Sequence, residues 1–461
     1  MMNPVRTALL LTFPFWLMAC GTTPVQPVQP APPAGWEYGQ GVTDAWPARD
    51  WWRGFASTEL DALMQQAQAN NPDLNAAAAR ILQAEAQARI AGASLLPNVD
   101  AGLDAGRSGI VDQGGGSASY SASLGASYEL DFWGANRAQR AGARAALAAT
   151  AYDRETVALT LTAGVANSYL QVLSLQERLE IARLNLALAE EILRVVEARV
   201  SSGAGTPLDL ARQRAVVARQ RASVQPLLQQ ERDARATLAL LLGQVPQGLA
   251  VEGQLADMLI PQVMAGLPAE LLVRRPDIRQ QEARLLAADA DIAVARAAFF
   301  PSVRLTGAVG TRSDMFSELF SGDLLYNLGA SLTQPIFNAG RLRAQRDLSE
   351  ARKLELLALY RGAIQQAFAE VDLSLSNIET LAEQAFQQDI ELTQTRRAFT
   401  LAEARYREGA DDLLTLLDAQ QSLYQAEENN GLLRLAQMQA IVTLYRVLGG
   451  GWSEAEQTSA R

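Results

Sequence analysis

The sequence predicts a mixed α and β membrane protein, in which long helices carry four transmembrane β-strands per chain and several chains share one barrel. Three observations predict it: an internal two-fold repeat with a period of about 205 residues, a stretch of strict two-residue alternation, and proline-free segments long enough for very long helices.

The N-terminus reads as an address. Arg6 gives a positive n-region, and Ala8 to Met18 is a short apolar run. It falls short of the ~20 residues that a bilayer-spanning helix needs. The run ends in Leu17-Met18-Ala19-Cys20-Gly21, similar to a bacterial lipobox, so residues 1–19 read as a signal peptide and Cys20 as a lipidation site. A plain secretory signal with an incidental cysteine is the alternative. A diacylglyceryl group plus an amide-linked acyl chain would supply the two membrane signals that stable anchoring takes. No aspartate follows Cys20, which fits the outer-membrane destination of the lipoproteins it resembles. Residues 20–43, with prolines at 24, 27, 30, 32 and 33, read as an extended lipid-anchored tether.

The rest of the chain is written twice. Asn71-Pro72-Asp73-Leu74 through Val99 aligns without gaps on Arg275-Pro276-Asp277-Ile278 through Val303 at an offset of 204. Eleven of 29 positions are identical, including Arg80/Arg284, Leu82/Leu286 and Pro97/Pro301. Later the offset is 206: Arg137-Ala138-Gln139-Arg140 matches Arg343-Ala344-Gln345-Arg346, Arg199 matches Arg405, Gly203 matches Gly409, and Leu242-Gly243 matches Leu448-Gly449. So long a period exceeds solenoid repeats and indicates two copies of one large unit, expected over residues 44–250 and 251–461. Each opens with a helix after Asn-Pro-Asp or Arg-Pro-Asp, proline at an early position and aspartate in the first turn. Each helix stops at Pro97 or Pro301. A hairpin follows (98–131 and 302–335), then a very long helix, a glycine-containing turn, and a helix ending at Leu-Gly.

In the first hairpin Ala118, Tyr120, Ala122, Leu124, Ala126, Tyr128 and Leu130 alternate with Ser117, Ser119, Ser121, Ser123, Gly125, Ser127 and Glu129. That is the period of a strand with one apolar face. Val99 to Gly109, Val303 to Arg312 and Leu324 to Gln334 follow it more loosely. A half-buried sheet on a soluble domain would alternate too, but export and acylation favour a membrane barrel. Four strands cannot close around a lumen, and an open edge is not tolerated in lipid. Three chains would give twelve strands; two would give eight, whose interior is filled by side chains.

Between Pro97 and Pro207 there is no proline, and Ala135 to Val200 is compatible with one helix, as is Ala339 to Arg407. At 1.5 Å per residue such a helix reaches about 100 Å. Val172, Leu175, Leu179, Ala182, Leu186, Ala189, Leu193, Val196 and Val200 form a coiled-coil seam, and Leu170, Leu173, Ile181, Leu184, Leu188, Ile192 and Val195 form a second. Two seams suit a helix between two neighbours, as in a closed ring, although an ordinary bundle also gives a wide apolar face. Pro226 is expected to interrupt and kink the helix after Pro207.

Composition narrows the chemistry. Histidine is absent, Cys20 is the only cysteine, and 40 basic residues face 50 acidic ones for a net charge of −10. Imidazole or cysteine-rich metal sites and histidine-based catalysis are thereby excluded, and a nucleic-acid partner is not expected. Acidic pairs such as Glu190-Glu191 and Glu427-Glu428 read as solvated helix faces. Neither a cofactor nor a catalytic residue is expected.

Several blocks carry a specific resemblance. Trp51-Trp52-x-x-Phe55 with Asn71-Pro72-Asp73-Leu74, Leu267-Pro268-x-x-Leu271-Leu272-x-Arg274-Arg275-Pro276-Asp277-Ile278, Ala295-Arg296-Ala297-Ala298-Phe299-Phe300-Pro301, and Ala404-Arg405-Tyr406-Arg407-x-Gly409 with Leu416-Leu417-Asp418-Ala419-Gln420 all resemble outer-membrane efflux factors. The likeness, from about Trp46 to Gly450, is to the lipoprotein branch of the TolC-like channels that serve resistance-nodulation-division pumps. It implies a homotrimer with a twelve-stranded outer-membrane barrel on a long periplasmic α-helical tunnel, girdled by an equatorial belt assigned to 44–70, 244–268 and 450–461. It implies a periplasmic adaptor (membrane fusion protein) and an inner-membrane resistance-nodulation-division pump as partners. The chain would be a passive exit duct for drugs or other small toxic compounds. By the same resemblance Leu414 and Asp418 match constriction-ring positions, Arg405 matches an arginine of the closing polar network, and the turns at Gly203 and Gly409 match adaptor-contact tips. A type I protein-secretion conduit, a passive porin-like lipoprotein and a lipid-anchored coiled-coil scaffold are the competing readings.

Overall fold

The computed structural model describes residues 31–38, 46–110, 115–262, 265–266, 268–321 and 323–452. The expected signal peptide, Cys20, much of the tether and the last nine residues of the expected belt lie outside them. The first unit opens with a 3-10 turn (Trp51–Phe55), followed by α1 (Thr58–Asn70), α2 (Pro72–Ala93), β1 (Asn98–Ile110), β2 (Gly115–Leu130), α3 (Ala135–Ser201) and α4 (Pro207–Leu241). The second has α5 (Pro268–Arg274), α6 (Pro276–Ala297), β3 (Ser302–Ser313), β4 (Leu325–Thr333), α7 (Arg341–Arg407) and α8 (Leu413–Val447). The duplication survives to the residue: α2 and α6 have 22 residues each, α3 and α7 have 67, and α4 and α8 have 35.

Local chemistry sets the ends. Asn71 accepts from the backbone N–H groups of Asp73 and Leu74 at 2.9 and 3.1 Å, and Pro72 occupies the first helical position of α2. Asp131 accepts from the N–H groups of Asn136 and Arg137, both at 3.0 Å, and so serves the start of α3. α7 starts at Arg341, later than the expected Ala339, because Ala339 and Gly340 both hold left-handed conformations (φ 48° and 82°). Nor does Pro226 end α4, which continues to Leu241. Val224 and Leu227 on either side are buried against Leu175, Leu179 and Ala182 of α3, so packing carries the helix past the missing N–H.

The strands form one antiparallel sheet in the order β1-β2-β3-β4. Its register brings like faces together: Leu103 pairs with Ala122, Leu124 with Val309, Tyr128 with Leu305, and Val303 with Leu332 on one side. The other side pairs Asp100 with Gly125, Ser127 with Thr306, and Glu129 with Arg304. The helices form a wall one layer thick. Near the sheet α3 packs between α2 and α6, and further away between α4 and α8, while α7 packs on α6 and then α8.

The densest packing lies midway. Trp51, Phe55, Leu60, Met64, Tyr169, Leu238, Leu255, Met438 and Tyr445 belong to one cluster, with Trp51 stacked on Tyr445 at 4.8 Å. There the two units close in the same way. Asn71 Nδ2 donates to the Leu241 carbonyl at 2.9 Å, and the Arg275 guanidinium donates to the equivalent Val447 carbonyl at 3.3 Å. Gly243 (φ 71°) sits so close that a Cβ would collide with the Asn70 carbonyl, and Gly449 (φ 90°) would collide with that of Arg274. Only glycine fits where a left-handed backbone meets another carbonyl.

Candidate functional site

Three zones bear on function: the sheet, the inner wall and the far tip. Both faces of the sheet are open in the single chain, and β4 is exposed along its whole length. Val99, Leu103, Leu124, Leu305, Val309, Tyr326, Leu328 and Leu332 are exposed and share the apolar face, while Glu129 and Arg304 pair at 3.3 Å on the polar face. Aromatic contacts mark each end of the sheet: Trp133 stacks on Phe300 at 4.6 Å beside the helices, and Tyr120 meets Phe316 edge-on at 5.6 Å beyond. Apolar out, polar in and aromatic at both rims is the pattern of a membrane barrel. Among the described residues the outer edges of β1 and β4 have no strand beside them, so the barrel closes through other copies.

Along the wall, Arg80, Asp153, Gln280, Arg284, Asp291 and Arg352 line a cavity of about 680 Å3 that touches α2, α3, α6 and α7 together. Gln280 donates to Asp153 at 2.9 Å, and Arg80 stands 3.9 Å from it. Midway, Glu59 accepts from the Tyr169 hydroxyl at 2.8 Å and from the N–H groups of Glu252 and Gly253, both at 2.9 Å. That carboxylate ties α1, α3 and the segment between units; burial, foremost, and the Glu59 bond hold the Tyr169 hydroxyl protonated well beyond its usual range. Arg275 is bonded to Asp277 and Glu370 at 2.7 Å each. Burial works against its charge, but the two carboxylates outweigh burial and raise its pKa.

At the tip, Gly203 (φ 79°) and Gly409 (φ 76°) end α3 and α7 in the same way. The Gly203 N–H reaches the Val200 carbonyl at 3.1 Å and the Ala204 N–H that of Arg199 at 2.8 Å. The second turn repeats this with Gly409 to Tyr406 at 3.0 Å and Ala410 to Arg405 at 2.9 Å. These are Schellman closures, which explain both glycines as helix caps. Arg405 is exposed and makes a two-pronged pair with Asp411 of its own chain at 2.6 and 3.0 Å. The guanidinium bonds hold the Asp411 carboxyl below its usual range. The resemblance put Arg405 in a closing polar network; within the chain its partner is the carboxylate six residues on.

Leu414 and Asp418 are exposed on α8 and line one groove of about 750 Å3 with Arg212 and Arg219 of α4 and Ile181 and Asn185 of α3. Sequence reasoning assigned no site role to Arg212, Arg199 or Asp411, although it matched Arg199 to Arg405. The first two lie at positions that the 206-residue offset singles out; the last follows from the turn geometry, which spacing alone does not give.

A sheet that can seal only with copies of itself, continued by a single-layer wall of very long helices, defines a channel-forming membrane protein that shares its barrel among chains. The outer membrane efflux protein family model matches residues 63–244 and 267–450, and the chain belongs to that family. It is 48% identical to the pyoverdine export outer membrane protein OpmQ of Pseudomonas aeruginosa, over 96% of this chain and 97% of that protein. It is 35% identical to the toluene efflux pump outer membrane protein TtgF of Pseudomonas putida, over 95% of each. The crystal structure of the open state of the Neisseria gonorrhoeae MtrE outer membrane channel superposes with a TM-score of 0.85 at 31% identity, covering 93% of this chain and 98% of that one. The chain is thus an outer-membrane efflux channel and not an enzyme. Efflux factors of this kind are trimeric and work with adaptors and inner-membrane pumps, so three four-stranded sheets make one twelve-stranded barrel.

Proposed function

We propose that this chain is the passive exit duct for a pyoverdine-like cargo, closed at its periplasmic tip by Leu414, Asp418 and Arg405. The cargo assignment rests on the relative at 48% identity over nearly the whole of both chains, against 35% for the toluene-efflux relative. The observation that carries the gate is the shared groove. It is floored by α3 and banked by α4 and α8, and in this reading the side on which it opens is the lumen-facing one. Leu414 supplies an apolar constriction and Asp418 a charged one. Arg405 stiffens the turn through Asp411. The tip turns at Gly203 and Gly409 meet a periplasmic adaptor, the packed midsection with 44–70, 244–268 and 450–461 forms the equatorial belt, and Cys20 carries the acyl anchor after removal of 1–19. The inner-membrane pump is of the resistance-nodulation-division class, a reading supported by the resemblance.

A strain lacking the chain should release less pyoverdine to the medium and retain more in the periplasm, with recovery on complementation. Unchanged release with impaired solvent or drug tolerance would move the cargo to the second class; a missing exported protein would point to a secretion conduit. Crosslinking followed by co-purification identifies the pump class, and a pump of another class would replace that assignment alone.

A further inference from the structure

The gate reading above places one acidic ring at the constriction, and three like charges facing one axis repel. The duplicated architecture supplies the answer to that repulsion. α4 starts at Pro207 and α8 at Leu413, 206 residues apart, after turns closed by identical Schellman bonds, and both helices run 35 residues. Positions counted from the turns are therefore equivalent in the two units. Leu208 corresponds to Leu414, and Arg212 to Asp418. Both leucines are solvent-exposed, 57% and 47%, at the second residue of their helices. Arg212 and Asp418 line the same groove from opposite banks. Neither has an ion-pair partner within 4.0 Å among the described residues, whereas Arg178 and Glu428 higher in that groove are paired with one another.

We infer that the periplasmic constriction is a six-membered ring of alternating sign, Arg212 and Asp418 in turn, one helical turn further from the tip than a six-membered leucine ring of Leu208 and Leu414. The inference rests on the gate assignment and on the trimer. Three chains, each contributing two equivalent units, set six equivalent positions around the axis, so each carboxylate is flanked by guanidinium groups instead of carboxylates. Attraction between neighbours draws the tip together, and the ring has no net charge to favour one sign of ion. Arg212 is a positioning and selectivity residue; its counterpart alone would give a cation-selective, self-repelling mouth.

Purified trimers in planar bilayers under a salt gradient test this through the zero-current potential and the conductance. Arg212→Glu should shift the potential towards cation permeation by about twofold or more in permeability ratio, the scale of one charge acting at ~10 Å in water, and should raise resting conductance. Asp418→Ala should shift it towards anions. The exchange Arg212→Asp with Asp418→Arg should return both readings close to wild type. If Asp418→Ala moves the potential while Arg212→Glu and the milder Arg212→Gln do not, the alternating ring is wrong and the gate assignment stands. An exchange that fails to restore selectivity also overturns the pairing. If neither position moves either reading in intact trimers, both the ring and the gate are misplaced.

Discussion

The two ends of each repeated unit have fared differently since duplication. At the midsection both copies use one device: a side chain before proline (Asn71, Arg275) bonds the last carbonyl of the closing helix (Leu241, Val447), and a left-handed glycine (Gly243, Gly449) lies against the preceding carbonyl. At the tip the copies diverge. Arg199 donates to the Tyr406 carbonyl at 2.7 Å and lies over the Tyr406 ring at 4.8 Å, lashing the first helical hairpin to the second. Its equivalent, Arg405, bonds Asp411 in its own turn and, among the described residues, makes no bond to the other hairpin. Even the caps are exchanged: Thr206 accepts from the Asp209 N–H, whereas Asp412 accepts from the Thr415 N–H, the same bond with the residue types reversed. Backbone contact leaves no latitude at the midsection, while a solvent-facing tip tolerates exchange of side chains and can give the units separate tasks.

That contrast can be broken at its strong end first. Gly449→Val and Gly243→Val should both abolish trimer recovery from detergent extracts, since each adds a side chain against a carbonyl at positive φ; recovery of normal trimers with either would show that the joint yields. Arg275→Met should cost about 3 kcal/mol or more, because Glu370 and Asp277 lose their buried counter-charge, while Asn71→Ala should cost about 1 kcal/mol for the lost cap. Thermal melting of the trimers ranks them, and the reverse order would contradict the account. Arg199→Ala should loosen both hairpins at the tip by about 1 kcal/mol, seen as faster amide exchange in both turns, whereas Arg405→Ala should speed exchange only around Glu408–Asp412.

The smallest effect concerns acid. Asp411 has its carboxyl pKa lowered from an ordinary 3.8 by the Arg405 bonds. A lowered pKa contributes stability that is fully present above the unfolded value and is lost as pH falls through the folded one. Amide protection in the second turn, taken relative to the intrinsic exchange rate at each pH, should therefore be constant from neutrality to about 5 and fall only below the usual carboxylate range; a change in protection near neutrality would implicate another group.

Much of this architecture is legible in the sequence, because period two, proline spacing and the Asn-Pro-Asp echo are local signals. Strands and long helices follow from them within a residue or two. The start of α7, expected at Ala339 and found at Arg341, is displaced by two residues, since a left-handed alanine is set by its surroundings. Pro226 misleads because neighbours that pack, Val224 and Leu227, hold the helix against it. The sites were less legible. Leu414 and Asp418 came from family likeness, and their companions Leu208 and Arg212 were hidden though the 206 offset names them, because unlike residues at equivalent places do not register as a repeat. Glu59 with Tyr169 and Arg199 with Tyr406 are partnerships between residues far apart in the chain, which no spacing reveals.

The open edges of β1 and β4 also have a genetic meaning. A pore walled jointly by three chains has no wall belonging to one of them, so a copy that folds but presents a spoiled edge is built into the same ring as sound copies and leaks or blocks for all. Alleles of that kind should act dominantly when expressed beside the normal gene, while alleles that prevent folding altogether should be recessive.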